Sequence, residues 1–120
     1  HRVAAEWFSI PEDVAAVINQ AHGAGGRIVA VGTTTARALE SAAVAPGQIK
    51  AQSGFSALTI FPGYGFQIVD ALLTNFHLPR SSLLVLVCAF GGRDFMLRTY
   101  HHAVEERYRV YSYGDCMLIL

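Results

Sequence analysis

Apolar positions in this sequence alternate between a helical and an extended rhythm. Val14, Val17, Ile18 and Ala21 recur at the i, i+3, i+4, i+7 spacing of one helical face. Ahead of them, Ser9-Ile-Pro-Glu12 has the form of a capping box, with a hydroxyl for an early helical N–H and a carboxylate reaching back. Gly23, Gly25 and Gly26 end that helix. Arg27 to Val31 is then apolar at nearly every position, which predicts a strand buried on both faces, as in a parallel sheet. Gly32 and three threonines turn the chain into a second helix, Ala36 to about Ala43, which stops before Pro46-Gly47.

The polar stretch from Pro46 to Ser56 reads as a loop, and Ala57 to Phe61 as a second strand closed by Pro62-Gly63. Ile68 to Phe76 is compatible with helix or extended chain, because its apolar positions follow neither period. Ser81 or Ser82 can cap a helix reaching Phe90, and Gly91-Gly92 separates it from another over Asp94 to Tyr108, with Phe95, Leu97, Tyr100, Ala103 and Val104 available for packing. The tail, Tyr108 to Leu120, reads as strand, turn at Gly114, strand. Alternating helices and strands imply an α/β layer architecture with a partly parallel sheet and flanking helices, within one domain of 120 residues.

Composition narrows the function. Hydrophobic residues make up 52% of the chain, ample for a packed core. Nine basic and nine acidic residues give zero formal charge, so no global field draws in a polyanion. A local basic patch can still serve, and eight of the nine cations are arginine. Cys88 and Cys116 are far apart in apolar surroundings, without the spacing of a zinc site, as in a reduced cytosolic domain. His101 and His102 would point about 100° apart on a helix and cannot share a metal. No metal is expected. The longest apolar run, Leu83 to Phe90, is far shorter than the ~20 residues that cross a bilayer. With no N-terminal signal pattern, the sequence reads as a soluble, cytoplasmic protein that does not engage a membrane.

Three stretches can carry chemistry. In Val31-Gly32-Thr33-Thr34-Thr35-Ala36-Arg37 a strand passes through glycine into a helix start, the position where open α/β sheets hold ligands. Free N–H groups there favour an anion. With one glycine and no Gly-Lys pair it is neither a dinucleotide fingerprint nor a phosphate loop, and a plain turn with Thr33 or Thr34 as N-cap fits equally. In Asp70 to Arg80, Asp70, Asn75, His77 and Arg80 sit within a strongly apolar segment. Either they satisfy one another as a buried knot, or they line a pocket in which His77 titrates near neutrality and Asp70 orients or abstracts a proton. In Tyr111-Ser112-Tyr113-Gly114-Asp115, Asp115 caps a turn or the tyrosines frame a base. Pro62-Gly63-Tyr64-Gly65-Phe66 reads as a tight turn displaying two aromatics.

The wording of these segments goes further than their spacing. Val29 to Ser41, Phe61-Pro-Gly-Tyr64, the Asp70 to Ser82 run with its Thr-Asn-Phe-His-Leu-Pro core, and Tyr108 to Ile119 with Ser-Tyr-Gly-Asp occur in this order across nearly the whole chain. In all four the sequence resembles the S-adenosylmethionine:tRNA ribosyltransferase-isomerases of queuosine synthesis. The resemblance implies the C-terminal part of the family's main α/β domain, lacking the inserted β-barrel domain and the family's N-terminal portion. It implies transfer of the ribosyl moiety of S-adenosylmethionine to 7-aminomethyl-7-deazaguanine in tRNA, with isomerisation to epoxyqueuosine and release of adenine and methionine. S-adenosylmethionine is then a substrate, the precursor tRNA the partner, and no metal takes part.

Carried onto this sequence, the resemblance marks Asp70, His77 and Asp115 as acid/base candidates. Gly32, Thr33 and Thr34 could hold the methionine carboxylate or ribose hydroxyls, and Arg37 and Arg80 a carboxylate or phosphate. Glu6, Asn75, Ser112 and Tyr113 complete the binding candidates. The family's His-x-x-His-x-Glu pattern is met by His1 and Glu6, but Ala4 replaces its second histidine. That departure supports an alternative, a diverged or truncated module that binds a nucleoside or S-adenosylmethionine without turnover. All readings of the site require the stretches around Thr33, His77 and Asp115 to converge on one cleft at strand ends.

Overall fold

A computed structural model describes residues 5–77, 81–109 and 111–120, excluding the side chains of residues 82 and 111–113. Positions 1–4, with the Ala4 departure, and Arg80 lie outside the described residues.

The central sheet has the order β2 (Val29–Val31), β6 (Ala71–Phe76), β7 (Tyr111–Ile119). β2 runs parallel to β6, with Val29, Ala30 and Val31 opposite Ala71, Leu72 and Leu73, while β7 is antiparallel to β6. The segment of ambiguous period is therefore the middle strand. Ala71 and Leu72 are fully buried, and flanking strands leave no polar face to set a period. α2 (Thr33–Ser41) crosses over between β2 and β6, as a parallel pair requires. α3 (Ser82–Gly91) and α4 (Arg93–Glu105) form the hairpin between β6 and β7. α3 is capped by Ser81, whose hydroxyl accepts the Leu84 N–H at 3.1 Å. No described helix is long and apolar enough to cross a membrane.

Several expectations are corrected. Ser9 does not cap a helix. It belongs to β1 (Glu6–Ile10), which pairs antiparallel with β5 (Gln52–Ser56), and its hydroxyl meets that of Ser53 at 2.9 Å. Pro11 is the N-cap of α1 (Glu12–Gly23), with no side-chain cap bond. The buried stripe of α1 is also rotated from the expected one. Ala15 is buried with Ile18, Asn19 and His22 partly so, while Val14 and Val17 are exposed. Asn19 explains the rotation: its side chain donates to Ile49 O at 3.0 Å and accepts from Ile49 N at 2.9 Å, docking α1 on β4 (Gln48–Ile49). Gly47, in the left-handed region at φ 75°, makes the turn between β3 (Ala43–Ala45) and β4, and a Cβ there would strike the His22 ring.

The expected loop over 46–56 thus contains β4 and β5, and the expected strand over 57–61 is irregular. There Leu58 O accepts from Arg37 Nε at 3.1 Å instead of entering a ladder. β2 is covered on one face only. Ala30 is buried, whereas Val29 and Val31 are exposed on the edge strand. On α4 it is Met96 and Ala103 that are buried, while Phe95, Leu97 and Val104 are exposed. The tail does not turn at Gly114. β7 is one strand with a register shift, its Cys116 opposite Asn75 and its Tyr111 opposite Phe76.

Candidate functional site

The crossover from β2 to α2 opens a cleft at the carboxyl ends of β2 and β6. The cleft has a volume of about 390 Å³ and is lined by Val31, Gly32, Thr33, Thr34, Thr35, Leu73, Thr74, Asn75, His77 and Cys116. Its position follows from the chain. β2 stops at Val31, opposite Leu73, while β6 runs on to Phe76, so the helix start lies beside the last residues of the longer strand. Gly32 makes the turn with φ 96°, which a side chain would resist, and its N–H donates to Leu73 O at 2.8 Å. A larger groove of about 520 Å³ shares Thr34 and Thr35 on the other side of α2, but it is mostly apolar, with Arg27 its one charged lining residue among those described. The smaller cleft carries the chemistry.

Two of the three expected stretches meet there. His77 and Asn75 come from the end of β6, and Thr33 and Thr34 from the start of α2. His77 Nε2 lies 2.9 Å from Thr74 Oγ1, and its backbone N–H donates to the Tyr100 hydroxyl at 3.0 Å. Burial lowers the imidazole's pKa, so near neutrality it is uncharged and able to take a proton. Burial also pushes the Tyr100 phenol up to about 12, although the N–H from His77 opposes the shift. Tyr100 stacks edge-on against Phe76 at 5.3 Å, which fixes the end of β6 against α4.

Asp70 is not in this cleft. It precedes β6 at its opposite end, about 20 Å from His77 at strand spacing. Its carboxylate accepts the Ile28 N–H at 2.7 Å while its own N–H donates to Ile28 O at 2.8 Å, so Asp70 extends the pairing of β2 with β6. Asp115 also lies outside the lining, although its neighbour Cys116 is part of it. The Asp115 carboxylate accepts the Arg109 N–H at 2.6 Å, so it caps backbone across the approach to β7. The side chains of Ser112 and Tyr113, like Arg80, lie outside the described residues.

Arg37 is placed differently from expectation as well. Its side chain is 2% exposed, donating to Leu58 O at 3.1 Å, to Ser56 O at 3.2 Å and to the Glu6 carboxylate. Glu6 in turn accepts from the Thr34 hydroxyl at 3.3 Å. The pair therefore ties β1 and the 56–58 segment to the first turn of α2, supporting the cleft from behind.

Glu40 went unnoticed in the sequence reading. Its carboxylate is 4% exposed and accepts the N–H groups of Gln67, Ile68 and Val69 at 2.8–2.9 Å and the Tyr64 hydroxyl at 3.0 Å. Burial first, then the Glu40 charge, pushes the Tyr64 phenol up to about 12. The turn residues Tyr64 and Phe66 stack on each other, and Phe66 on Phe90, so these rings pack within the fold. A signal for Glu40 was available: Thr33, Ala36, Arg37 and Glu40 share one face of α2, so the helix must bury two charges.

Residues 1–119 match the family model described as "Queuosine biosynthesis protein". An S-adenosylmethionine:tRNA ribosyltransferase-isomerase of Ralstonia nicotianae is 53% identical over 99% of this chain, which spans 33% of that relative's length. The crystal structure of an S-adenosylmethionine tRNA ribosyltransferase from Thermotoga maritima superposes with a TM-score of 0.85 at 46% identity, over 95% of this chain and 40% of the other.

Proposed function

Because the chain belongs to the queuosine biosynthesis protein family, we propose that it is the C-terminal part of the α/β catalytic domain of an S-adenosylmethionine:tRNA ribosyltransferase-isomerase, acting in the cytoplasm. The reaction moves the ribosyl moiety of S-adenosylmethionine to the 7-aminomethyl-7-deazaguanine of a precursor tRNA and isomerises it to epoxyqueuosine, with adenine and methionine leaving. The chain spans about a third of its curated relative, so the remaining part of the site comes from the rest of the family fold.

The observation that carries this reading is the juxtaposition of the α2 start with His77 in one polar cleft at strand ends. The reaction needs a proton removed from the carbon beside the sulfonium, a proton delivered to departing adenine, and a neutral amine on the base. A neutral imidazole serves such transfers, and His77 is assigned as an acid/base group, with Thr74 fixing its ring. Gly32, Thr33, Thr34 and Asn75 are assigned to substrate. Asp70, Asp115, Glu6 and Arg37 are assigned to holding the strands and helix that form the cleft.

The test is adenine release by the complete protein from S-adenosylmethionine, with and without precursor tRNA. Release that depends on the tRNA supports the transferase. His77→Ala should lower turnover about 100-fold with the melting curve retained, the usual scale for loss of one acid/base group. Unchanged turnover removes His77 from the chemistry. The substitution at Ala4 favours a second reading, binding without reaction, and S-adenosylmethionine bound with no adenine released would establish it.

A further inference from the structure

The end of the cleft formed by α2 is rich in donors that nothing in the described protein satisfies. The N–H groups of Thr33, Thr34 and Thr35 have no acceptor among the described residues, since the first intrahelical bond runs from Ala36 N to Gly32 O. Gly32, at the cap position, has no side-chain oxygen to offer. Thr33, 7% exposed and lining the cleft, has no hydrogen-bond partner for its hydroxyl among the described residues. A hydroxyl buried to this degree normally has a partner. The nearby carboxylate of Glu6 does not fill the role: Arg37 and the Thr34 hydroxyl hold it.

We infer that the first turn of α2, with the Thr33 hydroxyl, binds the carboxylate of the methionine moiety of S-adenosylmethionine. This rests on the function proposed above and chooses between the two ligand groups the sequence left open. Ribose hydroxyls bring hydrogens of their own, and a cluster of N–H donors gives those hydrogens nowhere to go. A carboxylate brings only acceptors and a single negative charge, which suits the partial positive charge at a helix start. No Lys or Arg lines the cleft among the described residues, so a phosphate dianion would be left short of counter-charge.

The complete protein should be titrated calorimetrically with S-adenosylmethionine and with its decarboxylated analogue, which lacks only this group. The wild type should bind S-adenosylmethionine at least about tenfold more tightly, as expected for a charge-assisted set of hydrogen bonds. Thr33→Val should remove most of that preference while leaving affinity for the analogue unchanged, and Thr33→Ser should restore it. Equal affinity of the wild type for both ligands overturns the inference. So does a Thr33→Val variant that weakens both equally, which places the hydroxyl against another part of the ligand or in the fold. Weakened tRNA binding by Thr33→Val with unchanged affinity for S-adenosylmethionine would assign the site to an RNA phosphate, and also overturns it. If S-adenosylmethionine binds and adenine is released without a carboxylate preference, only this inference falls. If S-adenosylmethionine does not bind at all, the proposed function falls with it.

Discussion

At the scale of single residues, buried charge in this protein organises backbone. Glu40 gathers three consecutive N–H groups and a phenol, and Arg37 gathers two carbonyls and a carboxylate, from segments without regular structure of their own. Glu40→Gln replaces one accepting oxygen by a donor facing donors, and should cost about 3 kcal/mol of stability, read from urea unfolding. His77 sets a pH dependence of known sign. Burial lowers its pKa from 6.5, so below that pH the unfolded chain takes up a proton that the folded chain resists. The stability tied to neutral His77 is complete above 6.5 and is lost as pH falls toward the folded value. Urea midpoints should therefore drop between about pH 7 and about pH 5, and less steeply in His77→Gln.

At the scale of elements, local signals held where a segment's own backbone groups decide, and failed where a distant partner does. Ser81 caps α3 because the hydroxyl and the N–H it accepts are three residues apart. Ser9-Ile-Pro-Glu12 has equally good local credentials, yet β5, more than forty residues on, takes Ser9 into a ladder. The stripe of α1 shows the same contest. A period of 3.6 fits Val14, Val17, Ile18 and Ala21, but Asn19 binding both backbone groups of Ile49 turns a different face inward. Asn19→Ala should cost about 2 kcal/mol by leaving those groups unpaired. Hydrogen exchange of the Ile49 amide should speed up more than that of Leu72, which lies in the central strand. Equal protection of Ile49 in the two proteins would show that α1 docks by apolar contact alone.

For the whole molecule, the notable feature is how much apolar surface stays open. Val29 and Val31 on the β2 edge, Leu118 on β7, and the stacked pair Trp7 and Phe55 on the β1–β5 sheet are all exposed, the last two at 61% and 71%. Edge strands with β-branched outward side chains pair readily with another chain. The 120-residue chain by itself should therefore self-associate with rising concentration in sedimentation velocity, and Val29→Lys should shift it toward monomer. Monomer at all concentrations, with no effect of Val29→Lys, would show that these edges are protected.

The order of helices and strands, the parallel entry into α2, the cap on α3 and the cleft-forming Gly32-Thr33 turn were legible in the sequence. Each depends on residues within a few positions of one another, and the family likeness rests on those same local strings. Only the tertiary structure decided which of the polar candidates share a cleft. It put His77 and Thr33 together because β2 and β6 run parallel and end at different heights. It sent Asp70 to the far end of β6 because side chains seven residues apart on a strand are about 20 Å apart. Arg37 lies close in sequence to the cleft residues yet is buried behind them, because a helix turns it about 40° past a full circle from Thr33 and onto the carbonyls of a distant segment.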